Sequence, residues 1–187
     1  MSYVNETLVF ESDRIYYTDD AGAELQVMMS WEDSIMKASA DYVCEGGGDI
    51  LEIGFGMGIS ANYIQANSIT SHTIVENHPQ VIEKAKAWAA DKPNVTIVEG
   101  DWYAVKDSLS TYDGVFYDTW GDDNALRFVS EVANFTKDGA KVTWWNNYTD
   151  TDDVMYINGT TYQSISVNPD SNMYFQSNTY HLPKKQF

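Results

Sequence analysis

The residues Asp49-Ile50-Leu51-Glu52-Ile53-Gly54-Phe55-Gly56-Met57-Gly58 could hold a nucleoside cofactor. They read as an apolar strand running into an E-x-G-x-G-x-G turn. In an open α/β sheet such a turn lets backbone approach a ligand at the start of a helix. Gly54 takes the tight-turn position, Gly56 permits close approach and Gly58 permits close helix packing. Farther on, Thr73-Ile74-Val75-Glu76 reads as a second apolar strand ending in a carboxylate, where a ribose diol can be bound. A dinucleotide site needs G-x-G-x-x-G, but position 59 is Ile, and no Gly-Lys-Ser/Thr follows to make a phosphate loop. The spacing and the leading Glu52 fit S-adenosylmethionine better than a dinucleotide. The plainer alternatives are an ordinary strand-to-helix turn, and a Glu76 that only favours the helix opening at Pro79.

The surrounding pattern predicts the elements that would position these residues. Ser30 reads as the N-cap of a helix to about Val43, with Glu32 and Asp33 in its first turn. A second helix is expected from about Met57 to Asn67. A third opens at Pro79 and carries Val81, Ile82, Ala85, Trp88 and Ala89 on one face. Strands follow at Val95–Val98, Asp113–Asp118 and Ala140–Trp145, with a helix through Ala125, Phe128, Val129, Val132 and Phe135 between the last two. Alternating strands and helices mean a parallel sheet covered on both faces. Asn158-Gly159, between Met155-Tyr156-Ile157 and Thr161-Tyr162-Gln163, predicts an antiparallel hairpin, with a last strand near Met173–Tyr180. Residues 1–26 read as a strand pair or an ordered arm. The fold expected is α/β and Rossmann-like, with a mostly parallel central sheet and an antiparallel C-terminal hairpin. One domain is expected: residues 1–29 an N-terminal arm, 30–147 the core, 148–187 antiparallel strands.

A length of 187 residues suits one domain with a sizeable core, and 43% hydrophobic content argues against disorder. The formal net charge of −17 argues against nonspecific nucleic-acid binding, which needs clustered Lys and Arg. It reads as a solvating acidic surface, with cationic ligands favoured locally. With Cys44 alone there is no internal disulfide or Cys-based zinc cluster. Neither a signal peptide nor a long apolar span is visible, so a cytoplasmic monomer or homodimer without membrane contact is expected. His72 and His78 read as residues of surface turns; Asp122-Asp123 and Asp150, Asp152 and Asp153 read as solvated loops.

In order along the chain, "LEIGFGMG", "IVEN", "EGDW" and "YDGVFYDTW" resemble a class I S-adenosylmethionine-dependent methyltransferase. Upstream, Val27-Met28-Met29-Ser30-Trp31-Glu32-Asp33-Ser34-Ile35-Met36-Lys37-Ala38 is similar to a stretch of guanidinoacetate N-methyltransferases. Tyr117-Asp118-Thr119, Val167-Asn168-Pro169-Asp170 with Tyr174, and Leu182-Pro183 also resemble that family. The resemblance implies that Glu52, Gly54, Gly56 and Met57 border the methionine part of the cofactor and that Met28 covers it. It implies that Glu76, with Asn77, meets the ribose, that Gly100, Asp101 and Trp102 lie at the adenine, and that Glu32 and Asp118 hold the substrate's guanidino group. Asp118 would also border the cofactor. Trp102 reads equally as core, Glu32 as a helix N-terminal acid, and Asp118 as a turn residue. The region between Asn147 and Val167 is shorter than in the family and carries a hairpin where the family has a helix.

A guanidinium is a poor nucleophile because its lone pairs are delocalised and it is protonated at neutral pH. Two carboxylates can bind its N–H groups, stabilise its charge and accept its proton. The expected activity is therefore methylation of a small guanidino compound such as guanidinoacetate. Other readings keep the cofactor and change the acceptor to arginine, another amine or a metal-bound hydroxyl, or make the chain an aminopropyltransferase or a binding-only module. A magnesium site at Asp118 with Asn146 or Asn147 is disfavoured because the fifth strand lacks an acid, so no metal is expected.

Overall fold

A computed structural model describes residues 3–151 and 153–187. Asp152 lies outside the described residues. Near the N-terminus, β1 (Val9–Phe10), β2 (Arg14–Thr18) and β3 (Glu24–Met29) form a small antiparallel sheet, the more ordered of the two expectations for this region.

The main sheet has the order β6-β5-β4-β7-β8-β10-β9. Its parallel part is β4 (Asp49–Ile53), β5 (Ser71–Glu76), β6 (Val95–Glu99), β7 (Tyr112–Tyr117) and β8 (Thr136–Trp144). β9 (Thr161–Ser166) and β10 (Thr179–Gln186) finish it antiparallel. Successive residues point to opposite faces. Ile50 and Phe116 therefore meet α1 (Asp33–Val43) and α2 (Ile59–Gln65), through Ile35, Met36 and Ile64. On the other face Leu51, Ile53 and Val115 meet α5 (Ala125–Glu131) and Trp102 of the short α4 (Trp102–Val105). α3 (Pro79–Ala89) packs beside β6 on the first face, burying Val81, Ile82 and Ala85 as its periodicity predicts. The strand order reverses between β4 and β7, and clefts in such sheets open at the carboxyl ends of the strands flanking that point. Gly54 and Asp118 stand at those two ends.

Several expectations need correction. The hairpin does not turn at Asn158-Gly159: β9 pairs with β10, across the connection from Val167 to Asn178. Asn158-Gly159 makes a turn, with Thr160 N–H donating to Ile157 O at 2.9 Å, but the residues before it are committed elsewhere. Met155 is buried in the core beneath β8, and Asp153 accepts a hydrogen bond from Trp144 Nε1 at 2.6 Å, so that stretch is no strand. The last strand lies at Thr179–Gln186, later than expected. His72 and His78 are not on surface turns; both are buried, His72 within β5 and His78 at the N-cap of α3. Ser30 does not cap α1: a 3-10 turn, Ser30–Glu32, precedes it, and the Glu32 carboxylate accepts from Met29 N–H at 2.7 Å. Among the described residues no helix is long and apolar enough to cross a membrane.

Candidate active site

A cavity of about 450 Å³ opens over the carboxyl ends of β4, β5 and β7. Its floor is backbone. Gly54 (φ 95°) donates to Val75 O at 2.8 Å, and Asp118 N–H donates to Ile53 O at 2.9 Å, so both turns are tied to the sheet. A Cβ on Gly54 would overlap the carbonyl oxygen of Asp118. Only glycine allows these two turns to meet. Gly56 packs against Met28, whose sulfur accepts from Met57 N–H at 3.2 Å.

Glu76, 7% exposed, ends β5. Its carboxylate accepts N–H bonds from Phe55 (2.9 Å), Asn77 (2.8 Å) and His78 (2.8 Å). Burial nevertheless pushes it above the usual carboxylate range, against those bonds. A fixed carboxylate retaining lone pairs at a strand end can accept bonds from a diol. Beside it, the Tyr3 ring packs at a tilt against Trp120 (5.2 Å between centroids, 49°) and His78 (4.9 Å, 47°). Gly100, Asn77 and Trp102 line the same end. Trp102 is buried, and its Nε1 donates to Asp122 at 2.7 Å. It therefore serves core and cavity together. Asp122 is no solvated loop residue: it also accepts from Tyr117, Thr119 and the Asn124 N–H.

At the other end stand Glu32, Asp118, Trp145, Asn147 and Tyr174. Glu32 is 3% exposed, and its Oε1 also accepts from the Tyr174 hydroxyl at 2.6 Å. Burial, then the charge of Asp118, push Glu32 up to about 8. Burial, then the charge of Glu52, push Asp118 up to about 7. Trp145 is held by its N–H to Tyr117 O (2.9 Å) and by its indole to Asn147 Oδ1 (3.0 Å). Two carboxylates and two aromatic rings thus converge on one pocket. Among the described residues lining the cavity there is no Lys, Arg or His.

Three of the expected cofactor residues do not line this cavity. Glu52 is fully buried on the face of β4 that α2 covers, accepting from the Ser60 hydroxyl and lying 2.9 Å from His72 Nε2. Met57 contributes its backbone N–H to Met28, and Asp101 caps α4 through Tyr103 and Ala104 N–H. Met28, Glu32, Gly54, Gly56, Glu76, Asn77, Gly100, Trp102 and Asp118 do line it. Asn146 is buried and spends its amide on Asp150 O and His181 O, fixing the end of β8. Sequence reasoning missed Tyr3, Trp120 and Trp145 as site residues. The dense aromatic content of the chain was their one signal.

The residues fit a nucleoside sulfonium cofactor: a glycine-built floor that a side chain would fill, a strand-end acid fixed by backbone, and an aromatic wall. The sequence profile of the family "Guanidinoacetate N-methyltransferase" matches residues 16–168. Protein arginine N-methyltransferase 2 of Aspergillus oryzae is 38% identical over 127 residues, covering 64% of this chain and 30% of that protein. The chain thus spans about a third of the length of the curated relatives it matches. Spermidine synthase from Thermotoga maritima superposes with a TM-score of 0.68 at 13% identity, over 96% of this chain and 72% of that one. Fibrillarin from Aeropyrum pernix, solved with natively bound S-adenosyl-L-methionine, superposes with a TM-score of 0.57 at 14% identity, over 97% and 98% of the two chains. At these identities the structural likenesses speak for the fold alone.

Proposed function

The chain belongs to the guanidinoacetate N-methyltransferase family of class I S-adenosylmethionine-dependent methyltransferases, and from that premise we propose that it methylates a guanidino nitrogen of arginine type. The observation that carries this reading is the pair Glu32 and Asp118, both facing one cavity over the glycine turn. The arginine N-methyltransferase relatives support an arginine-type acceptor over guanidinoacetate. The lining favours a cationic head group, since it presents acids and, among the described residues, no Lys, Arg or His. We take residues 1–187 as one catalytic domain, with 30–147 as its cofactor-binding core.

When bound, S-adenosylmethionine supplies a sulfonium-activated methyl group. Gly54, Gly56 and Met28 would hold its methionine part, and Glu76 would accept bonds from its ribose hydroxyls. Glu32 and Asp118 grip the acceptor's N–H groups and concentrate negative charge where the guanidinium sits. Asp118 takes the proton lost from the methylated nitrogen. A group raised to about 7 is better matched to that transfer than an ordinary aspartate. Trp145 and Tyr174 exclude water and offer flat faces to a planar cation.

The test is S-adenosylhomocysteine release with three acceptors: an arginine-containing peptide, an alkylguanidine and guanidinoacetate. Turnover favouring the first two over guanidinoacetate, and lost in Asp118→Asn, is expected. Equal or better kcat/KM on guanidinoacetate sinks the acceptor choice. Cofactor binding without turnover on any of the three sinks guanidino transfer itself.

A further inference from the structure

Glu32 reaches the cavity from the turn ahead of α1, and Tyr174 meets it from the C-terminal connection, 142 residues away in sequence. That connection is built to present Tyr174. Asn172 Oδ1 accepts from the N–H of Tyr174 (3.0 Å) and of Phe175 (2.7 Å), closing a side-chain turn. The Tyr174 ring stacks on Trp31 (centroids 5.9 Å, 26°) and meets Trp145 edge-on at 6.1 Å. Neighbouring Phe175 also stacks on Trp31, at 5.7 Å. The hydroxyl then donates to Glu32 Oε1 at 2.6 Å, and Met29 N–H donates to the same oxygen at 2.7 Å. With Oε1 committed to two donors, Oε2 is the oxygen left for an acceptor N–H.

We infer that Tyr174 is a positioning residue of the acceptor site, turning Glu32 so that Oε2 meets the guanidinium and supporting its charged form. The inference rests on the guanidino reading above. The groups facing Glu32 come from every neighbouring element: Asp118 after β7, Tyr174 itself, Tyr180 of β10 and the backbone of Met29. Burial and Asp118 oppose its ionisation; the Tyr174 hydroxyl and the Met29 N–H favour it. Removing the hydroxyl takes away one of two supports in a desolvated place, where such bonds matter most.

The experiment is a carboxyl-carbon NMR titration of glutamate-labelled protein, with Glu32→Gln assigning the resonance. It is run on the wild type, on Tyr174→Phe, and on Asn172→Ala, which loosens the turn while keeping the hydroxyl. Calorimetric affinity for S-adenosylmethionine monitors folding of each. The Glu32 midpoint is expected to rise by about one pH unit in Tyr174→Phe. Acceptor KM is expected to rise about tenfold at neutral pH and to converge on the wild-type value at high pH, with kcat changing less. Asn172→Ala should shift both in the same direction by less. An unmoved Glu32 midpoint in Tyr174→Phe, with cofactor affinity intact, overturns the inference. So does a KM defect of equal size at every pH. A midpoint that shifts in Tyr174→Phe, alongside a wild type that turns over no guanidino acceptor, refutes the acceptor reading while upholding the control of Glu32 by Tyr174.

Discussion

The two ends of the cavity are made differently. The end we assign to the cofactor is mostly backbone, supplied by consecutive residues at the ends of β4 and β5, with Glu76 held by its own turn and by the glycine loop. The end we assign to the acceptor is side chains from segments far apart: Glu32 before α1, Asp118 after β7, Trp145 after β8 and Tyr174 beyond β9. A backbone-built site is fixed by the sheet that hydrogen-bonds it. A site assembled from distant side chains depends on how arms and C-terminal strands pack, and its groups titrate where packing leaves them. Conserving the first while varying the second would let one fold serve many acceptors.

The sharpest break between the ends is Asp118→Asn. It keeps the size of the side chain and the backbone contact with Gly54, and removes the proposed proton acceptor. Turnover is expected to fall by about 10²–10⁴-fold, with far less change in calorimetric affinity for S-adenosylmethionine. The variant should also be more stable. Asp118 titrates higher folded than unfolded, so its contribution is favourable at low pH and is lost as pH rises through about 7. Removing it should therefore raise Tm at pH 8, by about 1–2 kcal/mol in stability after allowing for cavity water, and the gain should vanish near pH 4. A variant that loses cofactor affinity as steeply as turnover would erase the distinction between the ends.

Gly54→Ala tests the point where they touch. Its φ of 95° and the overlap of a Cβ with the Asp118 carbonyl leave no room for relaxation without moving one turn off the sheet. A loss of about 3 kcal/mol in stability is expected, with cofactor affinity and turnover falling together, measured by thermal melting and calorimetry. Normal binding in this variant would mean that the two ends are less tightly joined than the geometry requires.

This contrast also explains what was legible in the sequence. β4 and β7 are almost wholly buried, and β5 is buried over its last three residues Ile74, Val75 and Glu76, so short apolar stretches running into a turn located their ends, and with them Gly54, Glu76 and Asp118. His72 could not be read correctly from its neighbours Ser71 and Thr73. Its burial follows from Glu52, which lies on the adjacent strand and supplies the polar partner. Asn158-Gly159 carried a strong local hairpin signal, but the burial of Met155 and the bond from Trp144 to Asp153 overrode it. Glu52 itself was legible as a motif residue and misleading as a cavity residue, because it is spent inside the sheet on Ser60 of α2 and His72 of β5. Tyr174 stood out only through resemblance. Its partner is 142 residues away, and nothing local in a stretch of Asn, Ser and Tyr reveals that distance.

A smaller effect, on pH, separates the ends again. On the proposed reading, acceptor binding needs ionised Glu32 and Asp118, which burial pushes up to about 8 and about 7, whereas a guanidinium stays charged throughout. Acceptor KM should fall as pH rises from 6 to 8, by at most about tenfold per unit for each coupled proton, and then level off. Cofactor affinity should change less over that range. A KM independent of pH would place the acceptor away from this pair.

The smallest effect is expected at the opposite end of the central strands. Lys137 bridges Asp49 and Asp113 at 2.7 Å each, near the amino ends of β4 and β7, where parallel sheets do not bind ligands. Both aspartates are held below the usual range by the Lys137 ammonium, yet all three side chains remain about a third exposed. Exposed ion pairs gain little after solvent screening and side-chain entropy, so Lys137→Ala should cost no more than about 1 kcal/mol, less at high salt, and leave kcat/KM unchanged. Equilibrium unfolding at two salt concentrations, with turnover at both, decides it. The two aspartates titrate lower folded than unfolded, so whatever stability the bridge gives is present at neutral pH and lost on acidification, opposite in sign to Asp118. An activity loss in Lys137→Ala would mean that strand register at one end of the sheet governs carboxylate placement at the other. The acceptor end would then be as backbone-determined as the cofactor end.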